Sequence, residues 1–324
     1  MLFRRRARRR TLVALVALGA STTGALACVT VLGLDDFVPD LDDGGTTSVS
    51  STGTGGGGSC SGACSASGCG ACPTVPLVEV PLPDGGRFEI DAYETTNREY
   101  AAWLATHPTL DGQRTECQWN DSFTPGVPTA SAIEAANDAG SMIKPDGPCF
   151  VDDWLGKQLD LGHGSWPVVC IDWCDAAAYC AWAGKRLCGK IDQDVGLDIT
   201  ISPGAYKDAS ASQWYRACSK AGTLKFPYGN TYQKGWCNDS NSNLRDAGAY
   251  TQCEGGYPGL FDMSGNANEW EDACTSYNSL PELTNCCRRG GAFFDTDAGL
   301  ACAVCTQGRR CIPSNNLGFR CCSG

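Results

Sequence analysis

Twenty-two cysteines in 324 residues constrain this chain more than any other feature. A reducing cytosol would leave most of them as idle thiols, so the chain reads as a disulfide-stapled protein of an oxidising compartment. Zinc is the competing use of so much sulfur. The sequence holds only two histidines, His107 and His163, and neither lies near a paired Cys-x-x-Cys framework. The neighbours Cys286–Cys287 and Cys321–Cys322 should not bridge each other, because adjacent α-carbons lie about 3.8 Å apart and a disulfide wants roughly 4.4–6.8 Å. Each is expected to bond elsewhere, and parity leaves one odd, buried cysteine in the globular part if Cys28 is modified.

The N-terminus supplies the address. Six arginines between Arg4 and Arg10 precede the apolar run Leu12–Leu18, and Ala25-Leu26-Ala27 offers a small-residue cleavage site, so residues 1–27 read as a signal peptide. The run is too short to span a bilayer. Arg9-Arg10 can pass as a twin-arginine signal. Cys28 follows the cleavage site and is a candidate lipid anchor, with plain cleavage as the alternative. The expected locations are therefore periplasmic, cell-surface lipoprotein or secreted. Removing the signal takes six arginines and no acidic residue, moving the formal charge from −11 to −17. Such a polyanion is no candidate for nucleic acid or an anionic membrane, and it meets a membrane only through a lipid at Cys28.

Residues 28–75 read as an Asp/Gly/Ser-rich tether. Asp35, Asp36, Asp40, Asp42 and Asp43 repel one another, and the run Gly44–Ser59 has nothing to bury. It ends in a four-cysteine cluster, Cys60, Cys64, Cys69 and Cys72, which suits two local disulfides or, alternatively, a metal knot. Composition turns globular over residues 76–324. Thr96-Asn97-Arg98-Glu99 is a capping box ahead of Tyr100, Trp103 and Leu104, predicting a helix over 97–105. A second helix should start at Asp172, with Asp175 in its first turn, and stop at Gly184. Elsewhere Gly, Asn, Asp and Pro interrupt short apolar runs, which predicts few long elements and many loops held by disulfides.

Four segments, in order, carry a resemblance to a known family. They are Phe88–Asn97, Trp166–Leu187, Gly259–Trp270, and Arg289-Gly290-Gly291 with the ending Asn316–Cys321. Together they resemble the formylglycine-generating enzyme (sulfatase-modifying factor) family. The resemblance implies a loop-rich α+β fold related to C-type lectin-like folds. It also implies two structural disulfides, Cys180 with Cys321 and Cys218 with Cys305. A departure is the insertion between Leu187 and Trp214, which carries Cys188. The family's structural calcium site maps onto the carboxylates of Asp262 and Glu269 and the carbonyls of Gly265 and Ala267. Those are hard oxygen donors on a glycine-broken turn, and an ordinary hydrogen-bonded turn is the competing reading. A second calcium site, around Asn238, matches poorly.

The same mapping removes the family's chemistry. Its copper-binding redox cysteines fall here on Asp295 and Leu300, its small hydroxyl residue on Ala292 and its pocket tryptophan on Asn268. Neither Asp nor Leu supplies a soft thiolate, so copper is not expected. Cys302 and Cys311 are nearby thiols that would serve either as a displaced pair or as a further disulfide. A three-histidine iron site is excluded by count. Two functions remain open. One is a catalytically degenerate binding or surface-interaction module for a protein, peptide or glycan. The other is a divergent metal-dependent oxidoreductase acting on protein cysteine or small thiols.

Overall fold

The computed structural model describes residues 59–126, 149, 153–191, 195–276 and 280–323. The segment read as a signal peptide, Cys28 and the acidic run lie outside the described residues. All described residues belong to one compact unit that begins at Gly55.

Two small sheets frame it. In the first, β1 (Leu77–Pro81), β2 (Arg87–Asp91), β9 (Cys321–Ser323) and β3 (Arg186–Leu187) lie in that order, each pair antiparallel. Strand β1 alternates as the period of a half-buried strand requires, with Val78 and Val80 inward and Leu77 and Glu79 outward. In the second sheet, β5 (Asn268–Cys274) is central. It pairs antiparallel with β6 (Asn285–Arg289) and parallel with both β4 (Leu197–Asp198) and β8 (Leu317–Phe319), while β7 (Thr306–Arg309) extends β6.

Helix α1 (Asn97–Leu104) starts from the Thr96/Glu99 capping box, and α3 (Trp173–Trp182) from a second box made by Asp172 and Asp175. Between them runs the short α2 (Trp154–Asp160), and α4 (Gln213–Cys218) follows the insertion. The aromatic core forms where α1 and α3 meet β8. Tyr100 and Tyr179 stack at 5.7 Å, with Trp103 edge-on to both and Phe319 closing the far side. Such pairs add about 0.5–1.5 kcal/mol each beyond their buried area.

Ten disulfides hold the loops among the described residues, the amount of cross-linking expected of a protein in an oxidising, extracytoplasmic environment. Cys180 is bonded to Cys321 across 141 residues. Its neighbour Cys322 bonds Cys188 of the insertion, so the two adjacent sulfurs point to opposite faces of β9. Cys286 and Cys287 divide likewise, to Cys274 and Cys305.

One pairing needs correction. Cys218 bonds Cys302, not Cys305, because Cys302 is carried into the core beside α4 while Cys305 lies against β6. The four-cysteine cluster also differs from a tether end. Its bonds, Cys60–Cys69 and Cys64–Cys72, are local, but it docks on the folded unit. Cys64 N donates to Trp182 O at 2.7 Å, Trp182 Nε1 to Cys69 O at 2.8 Å and Thr109 N to Cys60 O at 2.8 Å.

Candidate functional site

The segment Gly259–Trp270 leads into β5, and left-handed backbone at Asp262 (φ 56°), Gly265 (φ 76°) and Asn266 (φ 56°) turns it. Gly265 is obligatory: a Cβ there would stand 2.4 Å from Asn238 O. Asn266 tolerates its conformation because its side chain is fully engaged. Its Oδ1 accepts from Asn238 Nδ2 at 2.8 Å and from Arg245 N at 3.0 Å. The Asn238 segment thus buttresses the turn.

Three buried carboxylates gather around one buried guanidinium. Glu269 is held by Arg320, whose Nε lies 2.9 and 2.8 Å from its two oxygens and whose Nη2 donates to Oε1 at 2.8 Å. Trp214 Nε1 adds a bond to Oε2 at 2.8 Å. The sequence reading gave Glu269 to a cation; the structure commits both its oxygens to Arg320 and Trp214.

Asp262 Oδ2 accepts from Gly248 N at 2.6 Å, but its Oδ1 is buried without a hydrogen-bond partner. Glu94 is in the same condition. Its Oε1 accepts weakly from Ala267 N at 3.4 Å, and its Oε2 has no partner. Burial, then the charge of Asp262, pushes the Glu94 carboxyl well up. Burial likewise lifts Asp262 to about 6, against a pull down from Gly248 N and Arg320.

Three acids against one base leave two negative charges uncompensated in a dry site, which is costly unless protons or a cation supply the balance. Asp262 Oδ1 and Glu94 Oε2 are the oxygens left without a partner there, and hard oxygen donors of that kind are what a divalent ion takes. Among the described residues no three acidic, histidine or cysteine side chains converge closely enough to hold an ion unaided, so carbonyl ligands would be needed. Sequence reasoning missed Glu94. Its only signal was a glutamate with no partner two residues before a helix cap.

The positions to which the resemblance assigns a redox pair are engaged in structural contacts. Ala292, Asp295 and Leu300 come together around Gly291, whose Cβ position is 2.9 Å from Leu300 Cδ2. Asp295 Oδ2 accepts from Ala292 N at 2.8 Å and so caps its own turn. Leu300 is fully buried against Phe226 and Ala301, and its carbonyl takes Ser264 Oγ at 2.6 Å. Asn268 opens β5 with its N bonded to Asn316 O. Cys302 is spent on Cys218. Cys311 is the one free thiol among the described residues and sits buried beside the start of α3, where burial, reinforced by Asp172, pushes it up to about 12. The displaced Cys302–Cys311 pair therefore does not form, and a thiol so held is no nucleophile near neutrality. His107 is an exposed loop residue, and His163 stacks on Trp166 with centroids 3.6 Å apart.

These features define a class: a disulfide-stapled α+β domain with a buried carboxylate turn and a Gly-Gly loop lined by Ala292, Asp295 and Leu300. Comparison with known proteins gives the family. Residues 75–323 match the profile described as "Sulfatase-modifying factor enzyme 1-like domain", and the chain belongs to that family. It is 33% identical over 256 residues to the "Inactive C-alpha-formylglycine-generating enzyme 2" of Bos taurus, covering 73% of this chain and 77% of that one. It is 26% identical over 257 residues to the "Formylglycine-generating enzyme" of Mus musculus, covering 72% of this chain and 65% of the mouse protein, just under two thirds of it. Among solved structures, CarF superposes with a TM-score of 0.41 at 15% identity, over 77% of this chain and 96% of that one.

Proposed function

We propose that this is an exported binding or surface-interaction module that has lost the oxidase chemistry of its family. One observation carries the reading: Asp295 caps Ala292 and Leu300 packs against Phe226, where the family resemblance calls for a copper-binding thiol pair. A copper site built on a thiol pair needs free cysteines, and those that follow in sequence, Cys302 and Cys305, are both in disulfides while Cys311 is buried and neutral. The similarity to a relative described as inactive agrees with this. The partner is a protein, peptide or glycan. Calcium at Asp262 and Glu94, with the Gly265 and Ala267 carbonyls, has a structural role, neutralising the carboxylates and fixing the turn. The N-terminal signal exports the chain, and Cys28 is the point at which a lipid would anchor it.

The test is to incubate the purified, disulfide-intact protein with a Cys-x-Pro-x-Arg peptide, oxygen and copper, and to look for aldehyde by mass spectrometry. No aldehyde is expected. Aldehyde formation would overturn the reading in favour of a divergent oxidoreductase.

A further inference from the structure

Of the ten disulfides among the described residues, one joins cysteines that face each other across neighbouring strands. Cys274 and Cys286 are register partners in antiparallel β5 and β6. The next rung, Thr275 N to Asn285 O at 2.8 Å, is hydrogen-bonded. Cys274 and Cys286 are therefore a non-hydrogen-bonded pair, the position at which opposed α-carbons come closest. They stand 4.0 Å apart. Disulfides ordinarily span about 4.4–6.8 Å, and one held below that range is easier to reduce.

The ladder around this bond is thin. β5 and β6 pair at Glu269 with Arg289 and at Trp270 with Arg288, and the register then shifts before Cys274 meets Cys286. β6 stays paired to β7 from Asn285 to Arg288. The disulfide is thus the covalent tie between the end of β5 and the β6–β7 pair.

The other disulfides of residues 76–324 lack this combination. Cys180–Cys321, Cys188–Cys322 and Cys218–Cys302 are fully buried at both ends, and Cys149–Cys170 and Cys237–Cys253 are at most 1% exposed. Cys117–Cys174 and Cys287–Cys305 span an ordinary 5.6 and 5.1 Å. Cys274, at the end of β5, keeps 8% exposure, enough for an edge-on approach to its sulfur. Its bond closes a separation of 12 residues, against 141 for Cys180–Cys321. A short loop contributes less to holding the fold, so the domain survives the loss of this bond.

Cys311, the one free thiol among the described residues, neighbours the segment leading into β6. Arg310 N donates to Thr284 O at 2.8 Å, and the Glu282 charge acts on the Cys311 sulfur. At 1% exposure it is closed to reagents while that segment stays in place.

From these observations we infer that Cys274–Cys286 is a redox switch, opened selectively in the folded domain by a dithiol reductant, and that its opening frees β6 from the end of β5 and uncovers Cys311. A thiolate of the reductant attacks Cys274 Sγ, and Cys286 leaves as a thiolate that takes up a proton. The second thiol of the reductant then displaces Cys274 from the mixed disulfide. The reductant loses two electrons and becomes a disulfide, and Cys274 and Cys286 end as thiols. This switch is independent of the aldehyde assay and of calcium.

Graded reduction of the full native protein with dithiothreitol, quenched by iodoacetamide and mapped by peptide mass spectrometry, tests it. Cys274 and Cys286 should be labelled at least about tenfold faster than any other bonded cysteine of residues 76–324. Cys311 should become labelled along with them, while melting stays cooperative. The double variant Cys274→Ser with Cys286→Ser should expose Cys311 to alkylation in the native protein without reductant. If that pair fails to fold, Cys274→Val with Cys286→Val fills the same cross-strand position. Opening of Cys287–Cys305 or another of these bonds first or at the same rate would overturn the inference, and so would a Cys311 that stays unlabelled once Cys274 and Cys286 are reduced.

Discussion

Asp262→Asn should stabilise the calcium-stripped protein at neutral pH while abolishing its response to calcium. Burial lifts the Asp262 carboxyl from 3.8 to about 6. A group whose folded value is raised contributes stability that is fully present below 3.8 and lost as the pH climbs through about 6. That interval corresponds to roughly 3 kcal/mol at pH 7.5, the free energy of keeping an ionised carboxylate in a dry site already holding Glu94 and Glu269. Asparagine removes the charge, still accepts from Gly248 N and tolerates the left-handed backbone at this position. In chelator at pH 7.5 the variant should therefore melt higher than the wild type, by up to roughly 6–12 °C for a domain of this size. At pH 4 the two should converge. Adding millimolar calcium should raise the wild type alone, because only its paired carboxylates reward the ion and only the folded state binds it. Scanning calorimetry across pH 4–8, with and without calcium, decides the matter. A variant no more stable than the wild type in chelator at pH 7.5 would refute the charge argument, and a wild type indifferent to calcium would refute the metal.

Three further outcomes follow from the same geometry. Alkylation of the denatured, unreduced chain should label one cysteine within residues 59–324, Cys311, and none of these before denaturation; two or more labelled sites there would contradict the disulfide map. Peptide mapping should recover Cys218 linked to Cys302 and Cys287 linked to Cys305, and recovery of a Cys218–Cys305 peptide would reverse the correction made above. Arg320→Met should cost about 3–5 kcal/mol in chemical denaturation, since it strands Glu269 and deepens the isolation of Glu94, and a loss below about 1 kcal/mol would mean that the pair is not buried as described.

The parts of this fold that were legible in the sequence are those written locally. Thr96 and Glu99, or Asp172 and Asp175, announce a helix start within four residues, because a capping box is satisfied inside its own turn. Asp295 and Leu300, at the positions to which the resemblance assigns a redox pair, could be read for the same reason: each is a residue at one position, whatever surrounds it.

What the sequence hid is settled by distant neighbours. Cys302 and Cys305 stand three residues apart on one loop, and only the packing of Cys302 beside α4 and of Cys305 against β6 assigns their sulfurs. The docking of the cysteine cluster depends on the Trp182 indole and the Thr109 backbone amide, which nothing between Cys60 and Cys72 specifies. Glu94 is the clearest case. It is buried where Thr95 N bonds Phe319 O and Val168 N bonds Thr95 O, two backbone contacts between segments far apart in sequence, and its Oε1 accepts from Ala267 N of the Gly259–Trp270 turn. A charge forced inward by backbone pairing leaves no periodic signature, and burial, with the charge of Asp262 beside it, pushes this carboxyl well up.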